Sequence, residues 1–199
     1  MNDKYKLLAV LANKFGGKLT QIHTFGENSW TTIPDFPSLF VSFSWLGRFV
    51  SGTLNWVGIR FGPNRDVILS FDLAKETYNE VLLPEPDGVN HMLGVLSNCL
   101  CVCFVSNETH WDFWLMKQYG VAESWTRLMM IPLNKTSDCL QFRPSFIQPL
   151  FMFENSSVLL RTYIRFFLYN LNNGRLDCLP GSYDFDHHIY HESLVSLKF

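Results

Sequence analysis

Val50-Ser51-Gly52-Thr53 has the form of a β-hairpin turn: apolar residues enter and leave it, and Ser-Gly supplies the glycine that two-residue turns favour. Leu96-Ser97-Asn98-Cys99 and Phe153-Glu154-Asn155-Ser156 repeat the arrangement with weaker turn residues. Behind each comes an apolar stretch, at Leu54 to Ile59, Leu100 to Val105 and Val158 to Leu160. After a polar loop a second pattern follows, at Ile68-Leu69-Ser70-Phe71-Asp72-Leu73, Asp112-Phe113-Trp114-Leu115-Met116 and Phe166-Phe167-Leu168-Tyr169-Asn170-Leu171. Each unit closes on a fourth segment, at Tyr78 to Leu83, Trp125 to Met129 and Leu176 to Leu179.

The N-terminal stretch fits the same order with its first strand absent: Tyr5 to Leu11, Gln21 to Phe25, then Ser29 to Ile33. The chain is therefore expected to start inside a unit. Phe25 and Phe71 are 46 residues apart, Trp30 and Tyr78 48, and Tyr78 and Trp125 47. Four short meandering strands at such a period form a propeller blade. Residues 4–12 are rich in helix formers, and Leu7, Leu8 and Leu11 sit at helical spacing, but the repeat places a strand there. The expected fold is all-β: an incomplete β-propeller of antiparallel four-stranded blades. Units fall at about 4–33, 46–83, 92–130 and 146–179, with a tail at 181–199.

Of the 199 residues 47% are hydrophobic and only 17% charged, against about 25% charged in an average soluble domain. Disorder is excluded. A chain of this length buries enough surface to hold a core without metal or disulfide. Sixteen basic and eighteen acidic residues give a net charge of -2 with no Lys/Arg block, so neither nucleic acid nor an anionic membrane is an expected partner. The longest nearly apolar run, Met92 to Val105, is shorter than the roughly 18 residues of a spanning helix. Lys4 and Lys6 precede an apolar stretch from Leu7 to Ala12 that falls below the roughly 7–15 residues of a signal-peptide core. The expected location is intracellular, cytoplasmic or nuclear. Five cysteines, three of them in Cys99-Leu100-Cys101-Val102-Cys103, fit a reducing compartment without a disulfide framework.

The units also carry distinctive sequence. Val67-Ile68-Leu69-Ser70-Phe71-Asp72-Leu73, the run Trp114-Leu115-Met116-Lys117-Gln118-Tyr119-Gly120-Val121-Ala122-Glu123-Ser124-Trp125 and the tail Glu192-Ser193-Leu194-Val195-Ser196-Leu197 are its most specific pieces. With Gly52-Thr53-Leu54-Asn55-Trp56 and Leu93-Gly94-Val95-Leu96, the chain resembles, over nearly its whole length, the F-box-associated interaction domain of plant F-box proteins. The resemblance implies a kelch-like propeller and a role akin to the substrate receptors of SCF-type ubiquitin ligases. In such receptors an N-terminal F-box holds the Skp adaptor and the C-terminal domain captures the protein to be ubiquitinated. No F-box is read in these residues, so Skp binding is expected only where an upstream F-box is restored. A fragment, a shortened gene product and a module that binds partners without delivering them stay open.

Other constellations offer little chemistry. Asp184, Asp186, His187, His188, His191 and Glu192 form a dense set of possible ligands, but the order matches neither His-Glu-x-x-His nor His-x-x-Glu-His. A solvated tail is expected there. Cys99, Cys101 and Cys103 would point to one face of a strand at about 6.6–7 Å steps, too spread to ligate one tetrahedral ion; they are expected to be reduced, buried and metal-free. The acceptor patterns at Asn107, Asn134 and Asn155 are coincidences in an intracellular chain. Trp30, Trp56, Trp114 and Trp125 recur at repeat positions and are expected to pack between blades. Asp72 is expected to satisfy a turn. No catalytic residue, cofactor or metal is assigned.

The unit order separates two ends. First-to-second turns are short, whereas the opposite end receives Pro34 to Ser44, Arg60 to Arg65, Pro84 to His91, Ser106 to His110 and Pro132 to Pro144. Longer loops on a rigid scaffold are where binding residues gather. The candidate rim for a protein partner is Arg60, Asn64, Arg65, Asp87, Asn107, Glu108, His110 and Arg143. The expected function is a non-enzymatic recognition module. The alternatives are a propeller enzyme using Glu108, His110, Asp87 and His91 on that rim, and an inert truncated fragment. Ile189 to Leu197 is the candidate to fill the missing first strand of the N-terminal unit.

Overall fold

The computed structural model describes residues 6–12, 18–33, 40–42, 47–60, 65–84, 89–135 and 146–180. The first sheet is β1 (Lys6–Ala12), β2 (Lys18–Thr24) and β3 (Trp30–Ile33). The second holds β4 (Phe40–Ser42), β5 (Arg48–Val50), β6 (Thr53–Arg60), β7 (Arg65–Asp72) and β8 (Thr77–Val81). In the third, β9 (Val89–Leu96), β10 (Cys99–Ser106), β11 (His110–Met116) and β12 (Trp125–Pro132) meander in chain order. The fourth does the same with β13 (Gln148–Met152), β14 (Ser157–Arg161), β15 (Phe166–Asn170) and β16 (Leu176–Cys178). Every pairing is antiparallel. The fold is thus all-β, an incomplete propeller in which no ladder joins the first sheet to the fourth among the described residues.

β1 is a strand despite its helical composition. Its ladder to β2 runs from Lys6↔Thr24 to Ala12↔Lys18, and Leu8 packs on the first seam, so tertiary pairing overrides propensity. At the hairpin turns, Ser51 and Gly52 have φ of 50° and 76°, and Ser97 and Asn98 have 49° and 58°. Both central residues lie in the left-handed region, as a type I′ turn requires. The third turn departs from the two-residue expectation. Phe153 N donates to Ser157 O at 2.8 Å, Ser156 N donates to Phe153 O at 3.1 Å, and Ser156 has φ 60°, which makes a three-residue loop. Neither Glu154 nor Asn155 is glycine, and Asn155 Oδ1 accepts the Ser157 N–H instead.

The second sheet corrects the placement of a loop. Phe40 to Ser42 was expected within a rim loop, yet it pairs with Gly58 to Arg60, while β5 pairs with Thr53 to Asn55. β6 has eight residues and β5 only three. The backbone groups of β6 beyond β5 need partners, and β4 supplies them.

Apolar residues form three seams between successive sheets. Leu100, Val102 and Phe104 face the second sheet, whereas Cys101, Cys103 and Val105 face the fourth. Both faces of β10 are therefore covered, which accounts for its unbroken apolar sequence. The first seam joins Ile22 and Ile33 to Trp56, Val67, Leu69 and Phe71. Close approach needs glycine at one place: a Cβ on Gly94 would fall on the Pro149 carbonyl and 2.7 Å from its Cγ.

Trp56 and Trp125 are buried in seams, Trp114 is half-buried beside the second seam, and the Trp125 indole donates to Leu82 O at 2.9 Å. Trp30 departs from expectation: it is 47% exposed and packs its ring on His23, because among the described residues no sheet faces it. Cys101 and Cys103 are buried, but Cys99 is only half-buried because it leaves the turn. Asp72 caps its turn, its Oδ1 accepting the N–H groups of Ala74 and Lys75. The Asp184 to Glu192 cluster and the Ile189 to Leu197 closure fall outside the described residues. No helix among the described residues is long and apolar enough to cross a membrane.

Candidate partner-binding rim

Antiparallel order puts the ends of β6 and β10 and the starts of β7, β9 and β11 at one end of their sheets. Arg60 and Arg65 face each other across the β6–β7 ladder there. Their like charges are bridged by Glu80 of β8, whose Oε2 lies 2.6 Å from Arg60 Nη1 and 3.9 Å from Arg65 Nη2. The two side chains remain 42% and 47% exposed. Half-exposed pairs of this kind add little stability and leave the guanidinium planes free to contact another molecule.

The third sheet contributes Asn107, Glu108 and His110. Asn107 and Glu108 are exposed in the β10–β11 turn, with φ of 48° and 54°. His110 Nδ1 lies 2.7 Å from Thr109 Oγ1, and its Nε2 lies 3.1 Å from Asp112 Oδ2. Asp112 is fully buried, with its carboxylate also held by Arg127: Nε is 3.0 Å from Oδ1 and Nη2 donates to Oδ2 at 3.3 Å. The guanidinium in turn stacks 5.2 Å from the centre of the Trp114 ring. A buried carboxylate is tolerated because two partners meet it.

Thus Arg60 and Arg65 come together through Glu80, and Asn107, Glu108 and His110 share the neighbouring sheet's turn. Asn64, Asp87 and Arg143 lie outside the described residues. His91 is buried, so it does not offer an accessible rim group. Its Nδ1 meets Asp66 Oδ2 at 2.6 Å across the second seam, and its ring packs 5.0 Å from Phe104. Reading loops alone missed Glu80, Asp66, Asp112 and Arg127, because each stands in a strand. Strand alternation carried one signal, since His110 and Asp112 are two apart and share a face.

Thr109, His110 and Asp112 place a hydroxyl, an imidazole and a carboxylate in series, the order of a nucleophilic triad. Here the carboxylate is already engaged by Arg127 and sits inside a seam. The cleft lined by Arg48, Asn55 and Gln148 contains none of these groups. Among the described residues no three His, Cys, Asp or Glu side chains are grouped to hold a metal ion. What the rim offers is exposed, partly neutralised charge on a stiff scaffold.

A family model, the F-box associated beta propeller domain, matches residues 1–168. F-box/kelch-repeat protein At3g23880 of Arabidopsis thaliana is 29% identical over 179 residues, covering 87% of this chain and 46% of that protein. F-box protein At3g07870 of the same plant is 38% identical over 102 residues, covering 49% of this chain and 24% of that protein. The chain therefore spans less than half the length of these curated relatives. The crystal structure of TolB from Acinetobacter baumannii shares the fold, with a TM-score of 0.54 at 12% identity over 87% of this chain and 41% of that one. With the matched stretch covering nearly all four sheets, the chain belongs to the F-box associated β-propeller domain family.

Proposed function

We propose that this chain is the partner-capturing propeller of an intracellular F-box protein and serves as the substrate-recognition part of an SCF-type ubiquitin ligase. The observation that carries the proposal is family membership, together with relatives that are F-box proteins. The proposed capturing face is the rim carrying Arg60, Arg65, Asn107, Glu108 and His110, with Asn64, Asp87 and Arg143, which lie outside the described residues, as further candidates from the sequence. Exposed Arg is enriched among residues that dominate binding energy, and its planar fork pairs with carboxylates in two-point contacts. Contact with a Skp adaptor belongs to an F-box and hence to a longer protein. The role is recognition and requires no chemistry from the chain.

The test is quantitative affinity purification from plant extract with tagged wild type, Arg65→Glu and Glu108→Arg, and with Lys75→Glu and Glu123→Lys at the opposite end. Exposed substitutions shift stability by no more than about 0.5 kcal/mol, so all four variants should fold. A partner depleted by the rim variants and retained by the opposite pair is expected. Loss in the opposite pair with retention in the rim variants would place the binding face on the other side.

A further inference from the structure

Arg60 and Arg65 stand directly opposite each other at the rim end of the β6–β7 ladder, and the pairing Leu69↔Glu80 sets Glu80 on the next strand, β8. Strand alternation puts Arg60, Arg65, Leu69 and Glu80 on one face of the sheet. Glu80 is two strands away from Arg60, yet it is Arg60 Nη1 that donates to Glu80 Oε2, at 2.6 Å. Their contact spans β7 and leaves Arg65 Nη2 3.9 Å from the same oxygen, beyond hydrogen-bond reach. Among the described residues the Arg65 guanidinium makes no hydrogen bond, and Glu80 is its one opposite charge. Asp66, the next residue, turns to the other face, where its Oδ2 lies 2.6 Å from His91 Nδ1. The connection Phe61-Gly62-Pro63-Asn64 carries no acidic residue.

Two guanidinium groups against one carboxylate leave one positive charge in excess. Like charges placed opposite each other on a ladder cost energy, and Glu80 offsets only one of them. Both guanidinium groups are half-exposed, so an incoming anion can reach them. The excess matches one monoanion. A carboxylate brings a single charge and the flat, two-oxygen edge that fits a guanidinium. A phosphate group carries about −1.5 to −2 at pH 7, which over-compensates the triad and sets the surplus against Glu80.

We propose that Arg60, Glu80 and Arg65 form a carboxylate-binding site, in which Arg65 takes an Asp or Glu side chain of the captured protein in a two-point contact while Arg60 holds Glu80. This assignment deepens the rim reading and rests on it for the source of the carboxylate. The captured protein presents an unmodified acidic residue to this end of the second sheet.

The experiment titrates the full 199-residue chain with the blocked peptide acetyl-Ala-Glu-Ala-amide at constant ionic strength, following arginine Nε–H and backbone amide resonances by NMR. Water screens an exposed contact, so a dissociation constant on the order of millimolar is expected. The shifts should saturate, with the Arg65 Nε–H among them, and acetyl-Ala-Gln-Ala-amide should cause none. Arg65→Gln should weaken binding by roughly tenfold or more. Arg175→Gln, at an exposed arginine paired with Asp177 on the fourth sheet, should bind as wild type does. Wild type should prefer the glutamate peptide to acetyl-Ala-phosphoserine-Ala-amide, and Glu80→Gln should turn that preference towards phosphoserine. Non-saturating shifts, equal shifts from the glutamine peptide, tighter binding of phosphoserine by wild type, an unchanged preference in Glu80→Gln or unchanged affinity in Arg65→Gln overturns the proposal. Affinity purification separates it from the rim reading. Peptide binding at Arg65 with a partner indifferent to Arg65→Glu overturns the rim reading and leaves the carboxylate site standing, whereas a partner lost in Arg65→Glu without peptide binding overturns the site alone.

Discussion

The hydroxyl of Tyr119 donates to Oδ1 of Asn55 at 2.7 Å, joining the turn after β11 to the interior of the neighbouring sheet. Thr53 Oγ1 and Ser70 Oγ lie 2.8 and 2.6 Å from the same hydroxyl. Asn55, Thr53 and Ser70 are all buried, so one phenol satisfies a polar cluster inside an otherwise apolar seam. This contact lies at the end of the sheets opposite the rim.

Tyr119→Phe should therefore lower stability by about 1–3 kcal/mol, since it leaves the Asn55 carbonyl buried without its donor. Urea unfolding monitored by tryptophan fluorescence measures the change. A loss below a few tenths of a kcal/mol would mean that the cluster repartners on its own. Partner capture by the folded protein should be unaffected.

Gly94→Ala should cost about 1–3 kcal/mol by overpacking. The added methyl would fall on the backbone of Pro149 in β13, which cannot give way as a flexible side chain would. The same unfolding assay tests it, and Gly26→Ala controls for surface turns, since its methyl would meet nothing within 4 Å although its φ of 89° brings local strain.

Asp72 ties its stability contribution to pH. The N–H of Lys75 first and that of Ala74 second, set against slight desolvation, hold its carboxyl below the ordinary aspartate range. A depressed folded value means that stability is present above the unfolded value of about 3.9 and is lost as pH falls through the folded one. Asp72→Asn keeps an oxygen acceptor for the turn and removes this titration. Its unfolding midpoint should therefore fall less steeply than wild type's below about pH 4.

Burial pushes the thiols of Cys101 and Cys103 up. Cys103 Sγ also lies 2.6 Å from the Ile147 carbonyl, to which it donates. Iodoacetamide at pH 8 should leave both unmodified in the folded chain and modify them after unfolding, while half-buried Cys99 and Cys178 react earlier. Peptide mapping reads the order. Labelling of Cys101 at the rate of Cys99 in the folded state would contradict the observed burial.

Much of this fold was legible in the chain. The Ser51-Gly52 turn, the apolar run of β10 and the Ile68 to Asp72 strand announce themselves through alternation and turn chemistry, which are local backbone preferences. The loop at Phe153 was not, because its closing pair is Phe153 and Ser157 rather than Phe153 and Ser156, with the Ser157 N–H donating to Asn155 Oδ1. The same holds at the candidate site. Loop position located Arg60, Arg65 and Glu108, but not Glu80 or Arg127, whose roles arise only when separate strands are placed in register.

By itself, then, the sequence determined the strand-and-turn repeat, the all-β class and the charge-poor interior, because hydrophobic period and turn residues act over a few neighbours. Only the tertiary structure decided that β6 takes two partners, that Tyr119 crosses a seam, that His91 faces Asp66 and that Arg48 meets Leu93. These contacts join residues 25 to 64 positions apart, or set one strand's ladder against two others. Their energy depends on register and sheet packing, which no local pattern encodes.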